Sequence, residues 1–292
     1  MIREINAETG LLGLIGNPVS HSLSPLMHNW VLKKIGLNYR YLAFQVEDDE
    51  VNTAIRGAQS LGCTGLNVTV PYKERVAKSL DDTDRPGKVT GAINTLLFTD
   101  EGEIKGYNTD VLGFVESLEI RNYEIRAKKC FVFGAGGAAK AVVYALSEEK
   151  ADRIFLSNRT YSKAKKVARF ARSSLGFSDI HPLPLETEIG DKIAESDLII
   201  NTTSVGMSPE IDQSIWEDES VFGSSQLVYD LVYNPPKTQF LKLAENQGAE
   251  IVSGLDMLIF QGLSSLRYWT GEEVIQPEIV NPLREVLTQH LR

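Results

Sequence analysis

The sequence predicts an α/β protein of two domains, and three observations carry that prediction. Strand-like and helix-like runs alternate along most of the chain, the alternation breaks at a polar stretch, RNYEIRAKK at 121–129, and after Ser253 only helical patterns remain. Such alternation builds parallel or mixed sheets with helices packed on their faces. A length of 292 residues suits two domains of about 150 residues each. The closing helices cannot extend a βα series, so they are expected to return to the first domain. The expected division is 1–110 with 255–292 for one domain and 111–254 for the other.

The elements follow in order. LLGLIG (11–16) reads as a strand, with a helix beginning near Ser24-Pro25. YRYLAFQV (39–46) precedes the helical VNTAIRGAQSL, and TGLNVTV (64–70) precedes the helical KERVAKSL. GAINTLLF and EIKGYN form a hairpin around Asp100-Glu101-Gly102, and TDVLGFVESL opens a helix capped by Thr109 or Asp110. The second series starts with CFVFG and the helix GGAAKAVVYALSEE. RIFLSN and YSKAKKVARFA follow, then the strands SDLIIN, QLVYDLV and AEIVS. LDMLIFQGLSSLRYWTG and PEIVNPLREVLTQHL are the last two helices.

Composition narrows the function. At 42% hydrophobic and 24% charged the chain is an ordinary globular protein. A net charge of −9 with no long Lys/Arg run argues against a nucleic-acid partner, though not against a small anion held locally. No apolar stretch approaches the roughly 18 residues of a membrane span, and the N-terminal apolar segment is too short for a signal peptide. The cytoplasm is the expected location, as a monomer or homodimer. Cys63 and Cys130 imply neither a disulfide framework nor a zinc site. His21 and His28 stand seven apart without carboxylate or cysteine neighbours, which favours structural roles over metal binding.

CFVFGAGGAAKAV carries the strongest motif. Gly134, Gly136 and Ala139 fit G-x-G-x-x-A between a strand and a helix. The first glycine permits the tight turn, the second leaves room for a pyrophosphate, and the alanine allows close helix–strand packing. The helix N-terminus then offers free N–H groups and a positive dipole end to the phosphates. Residues 134–139 (Gly134, Ala135, Gly136, Gly137, Ala138, Ala139) are therefore expected to bind a dinucleotide on a Rossmann-like domain. An NAD site usually ends its next strand with Asp or Glu. Here that strand ends in Asn158-Arg159-Thr160, with Lys163 one turn on, which favours NADP. Strand ends at Asn201–Met207, including Thr202 and Ser204, and at Asp230–Tyr233 are expected to border the nicotinamide. Asn-Thr-Thr-Ser is equally an ordinary helix-capping sequence.

Two stretches of the first domain are unusual. In LNVTVPYKER (66–75), Leu66, Val68 and Val70 alternate with Asn67 and Thr69, then Pro71 ends the strand and Lys73 falls in the first turn of a helix. In GNPVSHSLSPLMHN (16–29), hydroxyls of Ser22 and Ser24 and the amides of a helix start can together hold a carboxylate. Capping by Ser24 with Pro25 at the first helical position explains Ser24 alone.

GNPVSHSLSPLMHN, NVTVPYKE, GAINT, GYNTDVLGF, GAGGAAKA, NRT, NTTSVGM and GLDMLIFQG occur in the order found in the shikimate dehydrogenase family, which the chain resembles over nearly its whole length. The resemblance implies reversible NADPH-dependent reduction of 3-dehydroshikimate to shikimate, a step toward aromatic amino acids. It implies a first domain that binds substrate and a second that binds NADP. Ser22 and Ser24 would then hold the substrate carboxylate with Tyr233, and Asn67, Asn94 and Gln261 the ring hydroxyls, with Thr69 beside them. Lys73 and Asp110 would be the catalytic pair, Asn158, Arg159, Thr160 and Lys163 would take the adenosine phosphate end, and Met207 and Gly254 would lie near the nicotinamide. Family members often carry Arg at the position of Lys163; lysine keeps the charge and loses the planar fork. The other readings are a quinate/shikimate dehydrogenase that accepts NAD and a nonenzymatic NADP-binding sensor. Arg159 counts against the first. The second has no need of Lys73 and Asp110 together.

Overall fold

The computed structural model describes residues 5–185 and 189–291. They form two compact units, Met1–Gly113 with Ile259–His290, and one built from Phe114–Leu258. The first unit contains β1 (Gly10–Gly16), α1 (Ser24–Ile35), β2 (Tyr39–Gln45), α2 (Val51–Ser60), β3 (Gly65–Val68), β4 (Asp82–Thr83), α3 (Arg85–Thr90), β5 (Thr95–Phe98) and β6 (Ile104–Tyr107). The chain crosses to the second unit within α4 (Thr109–Glu119) and returns within α9 (Gly254–Thr270), after which α10 (Pro277–His290) closes the first. The polar stretch 121–129 lies inside the second unit, between α4 and β7 (Lys129–Phe133).

The first sheet has the order β2-β1-β3-β5-β6-β4. β1 pairs parallel with β2 and β3, β5 pairs antiparallel with β3 and β6, and β4 runs parallel to β6. The sheet is therefore mixed, with the expected 100–102 hairpin joining β5 and β6. One face packs Leu66, Val68, Ile93, Leu96 and Ile104 with Ile55 of α2. α9 contributes Gln261, Ser265 and Trp269 at a spacing of four, which places them on one helix face. Trp269 Nε1 donates to the Leu96 carbonyl at 2.8 Å, and Gly65 leaves the space for that indole.

The second unit adds α5 (Gly137–Glu148), β8 (Arg153–Asn158), α6 (Tyr161–Ser174), β9 (Ile180–Pro184), α7 (Gly190–Ala194), β10 (Leu198–Asn201), β11 (Leu227–Asp230), α8 (Gln239–Asn246) and β12 (Glu250–Ser253). Its sheet is all parallel in the order β12-β11-β10-β7-β8-β9, the doubly wound order of a dinucleotide-binding fold. Strands β7 and β10 are buried apolar runs, as expected where helices cover both faces.

Several local expectations change. Strand β3 ends at Val68, short of Pro71, so Thr69 lies beyond it and Val70 is 68% exposed. KERVAKSL does not form an α-helix. Tyr72 is fully buried, with its hydroxyl donating to the Val46 carbonyl at 2.6 Å, and this pins a run of turns that ends in a short 3₁₀ helix at Val76–Ser79. Lys73 therefore sits in a turn rather than in the first turn of a helix. Ser24 does not cap α1; Leu23 precedes the helix, and the Ser22 hydroxyl accepts from the Ser24 amide. α4 is capped neither by Thr109 nor by Asp110: the Asn108 side chain accepts from the Asp110 amide at 3.1 Å. Strand β9 carries Pro182 and Pro184, which hide it in the sequence and suit its edge position.

Replacing Gly65 with alanine should be costly, because the new methyl would lie 2.4 Å from the Leu96 carbonyl oxygen and 2.1 Å from Trp269 Nε1. Urea unfolding should show a loss of about 1–3 kcal/mol, and an unchanged midpoint would contradict this packing.

Candidate active site

The two residues expected to carry the chemistry meet. Lys73 Nζ donates to Asp110 Oδ2 at 2.6 Å, and their side chains are 28% and 14% exposed. Lys73 comes from the turn after β3, where its carbonyl accepts from Ile93 N at 2.8 Å. Asp110 comes from the first turn of α4. Its other oxygen, Oδ1, accepts from Asn94 Nδ2 at 2.9 Å. Asn94 is 3% exposed and satisfied on every side. Its Oδ1 accepts from the Thr109 amide at 2.8 Å and from the hydroxyls of Thr109 and Thr95, while Nδ2 also reaches Thr109 Oγ1 and Gln261 Oε1.

Asn67 extends this network across the sheet. Its Nδ2 donates to the Asn94 carbonyl at 3.0 Å and lies within bonding distance of Thr95 Oγ1 and Ser265 Oγ. Ser265 Oγ bonds Thr95 Oγ1 at 2.8 Å and Thr109 Oγ1 at 3.3 Å, and donates to the Gln261 carbonyl one turn earlier on α9. The alternation in LNVTV thus reads correctly at Leu66 and Asn67, but the polar face lies beneath a helix rather than open to water. The first unit brings together Lys73, Asp110, Asn67, Asn94 and Gln261. Ser22 and Ser24 stand at the start of α1, where the Ser22 hydroxyl accepts from the Ser24 amide and the Ser24 side chain neighbours Tyr41, itself the donor to Asn67, and Thr69 is half-buried just past β3. Thr95, Thr109 and Ser265 belong to the site as well. Sequence reading took Thr109 for a cap and passed over the other two, although Ser265 stands at helical spacing from Gln261.

In the second unit the glycine turn sits at the switch point of the sheet, where β7 lies between β10 and β8. Gly134 adopts φ +108°, and a side chain there would meet Thr202 Oγ1 at 2.3 Å. The Thr202 hydroxyl donates to the Phe133 carbonyl at 2.6 Å, so it supports the turn. Gly136 caps α5 with open space above it, Ala135, Gly137 and Ala138 are partly or fully exposed around it, and Ala139 is fully buried against the sheet. A diphosphate fits this arrangement: bare backbone, an exposed helix start and no side chain in the way. At the end of β8, Asn158 Nδ2 donates to the Thr160 carbonyl and fixes the turn that presents Arg159, Thr160 and Lys163, all exposed. No carboxylate pairs with Arg159 or Lys163 among the described residues.

The β10 and β11 loops are held from within. Asp230 accepts from Asn201 Nδ2 at 2.9 Å, Thr238 Oγ1 at 2.6 Å and Val232 N at 3.0 Å, and both Asp230 and Asn201 are fully buried. These two residues shape the loops and leave Ser204 and Met207 exposed and Tyr233 half-buried. Gly254 is required by packing, since a side chain would lie 2.0 Å from the Leu231 carbonyl oxygen. Among the described residues no group of three or more His, Cys, Asp or Glu side chains could hold a metal ion, and no helix is long and apolar enough to cross a membrane. Cys63 and Cys130 are buried free thiols.

A dinucleotide turn at the switch point of one unit and a lysine–carboxylate pair on a polar network in the other define a nicotinamide-dependent oxidoreductase. The family model described as the shikimate dehydrogenase substrate binding domain matches residues 14–96, that described as shikimate / quinate 5-dehydrogenase matches 117–221, and a shikimate dehydrogenase (NADP(+)) of Methanopyrus kandleri is 43% identical over 290 residues, 99% of this chain and 98% of its own. The chain belongs to the shikimate dehydrogenase family. Among solved structures it is similar to a shikimate dehydrogenase in complex with NADP+ (TM-score 0.89, 37% identity, 98% of both chains). It is also similar to the shikimate 5-dehydrogenase of Listeria monocytogenes in complex with shikimate and NAD (TM-score 0.90, 33% identity, 98% of this chain and 99% of that one).

Burial pushes the Asp230 carboxyl up to about 6, against hydrogen bonds from Thr238, Val232 and Asn201 that pull it down. The unfolded value is near 3.9, so the folded state holds the proton more firmly. The stabilising effect of that proton is complete below about 4 and is lost as the pH rises through about 6. Relative to an Asp230→Asn variant, which cannot titrate, the wild-type protein should lose up to about 3 kcal/mol between pH 4 and 7; parallel urea-stability curves for the two would contradict it.

Proposed function

We propose that this protein catalyses the reversible NADP-dependent interconversion of 3-dehydroshikimate and shikimate, with Lys73 as the proton partner of hydride transfer. The observation that carries this reading is the 2.6 Å contact between Lys73 and an Asp110 whose second oxygen is held by Asn94. When bound, the nicotinamide supplies or removes the hydride. In the reductive direction the carbonyl oxygen gains negative charge, and the Lys73 ammonium stabilises that charge and donates a proton. In the oxidative direction the neutral amine takes the hydroxyl proton. Both carboxylate oxygens of Asp110 already accept hydrogen bonds, which suits an orienting part for this residue.

Binding is divided by chemistry. A ring bearing several hydroxyls needs donors and acceptors at fixed positions, and Asn67, Asn94 and Gln261 supply them on buried or half-buried amides. The Ser22 and Ser24 hydroxyls suit a carboxylate. For the cofactor, the turn from Gly134 to Ala139 takes the diphosphate, and Arg159, Thr160 and Lys163 take the 2′-phosphate, with Asn158 fixing their turn. Thr202, Ser204, Met207 and Gly254 border the nicotinamide end. The reading includes a place in the route to chorismate and the aromatic amino acids, in the cytoplasm, as a monomer or homodimer.

Absorbance of the reduced nicotinamide, followed with shikimate or quinate and with NADP or NAD, tests the whole reading. The highest kcat/KM should belong to shikimate with NADP; tight NADPH binding without turnover of 3-dehydroshikimate would replace the enzyme reading by that of a sensor. Lys73→Ala should lower kcat by roughly 10²–10⁴-fold with far less change in substrate binding, and a near-normal turnover number would remove Lys73 from the chemistry. Arg159→Ala should raise the KM for NADP much more than that for NAD, because only the former carries the phosphate that guanidinium can pair with. Equal effects on the two cofactors would argue against the contact.

A further inference from the structure

The stretch SPLMHN supplies Ser24 to the proposed carboxylate site, but His28 and Asn29 have no part in that chemistry. Both point to Tyr41 of β2. The His28 ring stacks on the Tyr41 ring with centroids 4.2 Å apart and planes 17° from parallel. Asn29 brackets the Tyr41 backbone, with Nδ2 donating to its carbonyl at 2.8 Å and Oδ1 accepting from its amide at 3.0 Å. Trp269 of α9 lies tilted against both rings. Tyr41 is fully buried, so it cannot touch a ligand itself.

What Tyr41 touches is Asn67: their Oη and Oδ1 are 2.7 Å apart. The direction of that bond follows from the other end of the amide. Asn67 Nδ2 faces the Asn94 carbonyl, which can only accept, so the nitrogen must lie there and the oxygen must face Tyr41. An amide oxygen has no proton to give, so the phenol donates. Burial holds the Tyr41 phenol well above its usual pKa, with the neighbouring Ser24 side chain pulling weakly the other way, and the proton stays in place. The same burial pulls the His28 imidazole down to about 3, against the nearby Asn67 side chain that raises it, so the ring stacked on the phenol is neutral, and neither nitrogen meets a partner in hydrogen-bond geometry among the described residues. Its contribution is the stacking surface.

The geometry points to Tyr41 as a positioning residue for substrate recognition: its hydroxyl, clamped by His28 and Asn29, fixes the orientation of the Asn67 amide that is assigned to a substrate hydroxyl. This rests on the functional reading given above. Asn67 reaches the reaction only through that orientation, and the interaction is equally present before and during hydride transfer. Its loss should therefore appear in KM rather than in kcat.

Tyr41→Phe removes one oxygen and keeps the ring stack. It should raise the KM for shikimate about tenfold, as expected for a buried acceptor that loses its donor, with kcat changed less than about threefold and the KM for NADP unchanged. In an Asn67→Ala background the same substitution should add less than about twofold, because the two groups act in series. Asn29→Ala, which leaves the phenol and frees its backbone, should move the shikimate KM in the same direction. A merely structural role would lower the thermal midpoint and leave the shikimate KM where it was. That result in both single variants, or equal effects of Tyr41→Phe with and without Asn67, overturns the inference while the functional reading stands. Absence of shikimate oxidation by the wild-type enzyme overturns both.

Discussion

The Asn94 side chain is the joint on which the first unit's chemistry depends. It stands just before β5, where its backbone already joins the end of β3 to the end of β6: its carbonyl accepts from Val68 N and its amide donates to the Tyr107 carbonyl. The side chain then ties Asp110 Oδ1 to the Thr109 amide at the head of α4. A carboxylate at a helix start is already favoured by the dipole and the free amides. Asn94 converts that favourable place into a fixed orientation, and the orientation sets where Lys73 Nζ points. An amide suits this position because it is donor and acceptor at once. An apolar residue of similar size would leave buried polar groups unpaired, at about 1–3 kcal/mol for each.

The two units handle recognition by different means. In the first, the groups assigned to substrate and to the proton step are side chains, and three of them are held by other side chains: Asn67 by Tyr41 and Ser265, Asn94 by Thr95 and Thr109, Asp110 by Asn94. In the second unit the groups assigned to the diphosphate are backbone amides, and the residues around them are chosen for what they lack. Gly134 has no Cβ to strike Thr202, Gly136 leaves its surroundings open, and Ala139 closes the helix onto the sheet. Among the residues assigned to the cofactor, the exposed Arg159 and Lys163 carry the charge.

Much of the two-unit α/β fold was legible because buried parallel strands leave apolar runs in the sequence. CFVFG and LIIN are such runs, and their ends mark the glycine turn and the β10 loop directly. The failures have local physical causes. Pro182 and Pro184 disguise β9, which tolerates them only because it is an edge strand. KERVAKSL has the composition of a helix, but buried Tyr72 is anchored to the Val46 carbonyl, and the chain follows that anchor into turns. At Asn67 the period was right, but the partners could not be read from it. Alternating polar residues suggest a face open to water, whereas this face is covered by α9, whose Ser265 lies 198 residues away in sequence. Partners at such separation leave no periodic trace.

Covering that face also explains why hydroxyls gather there. Once α9 lies over β3 and β5, every polar group beneath it must find a partner without water. Thr95, Thr109 and Ser265 each carry a hydroxyl that can donate one bond and accept others, so the three can close around Asn67 and Asn94 without a fixed donor pattern of their own. The directions are set from outside the cluster, by carbonyls that can only accept: that of Asn94 for the Asn67 nitrogen and that of Gln261 for the Ser265 proton. Rotatable hydroxyls thus fill the interior, and backbone carbonyls fix the outcome. A buried polar core organised this way has one satisfied arrangement, and that arrangement holds the Asn67 and Asp110 side chains in fixed orientations, which apolar packing on the same sheet face could not do.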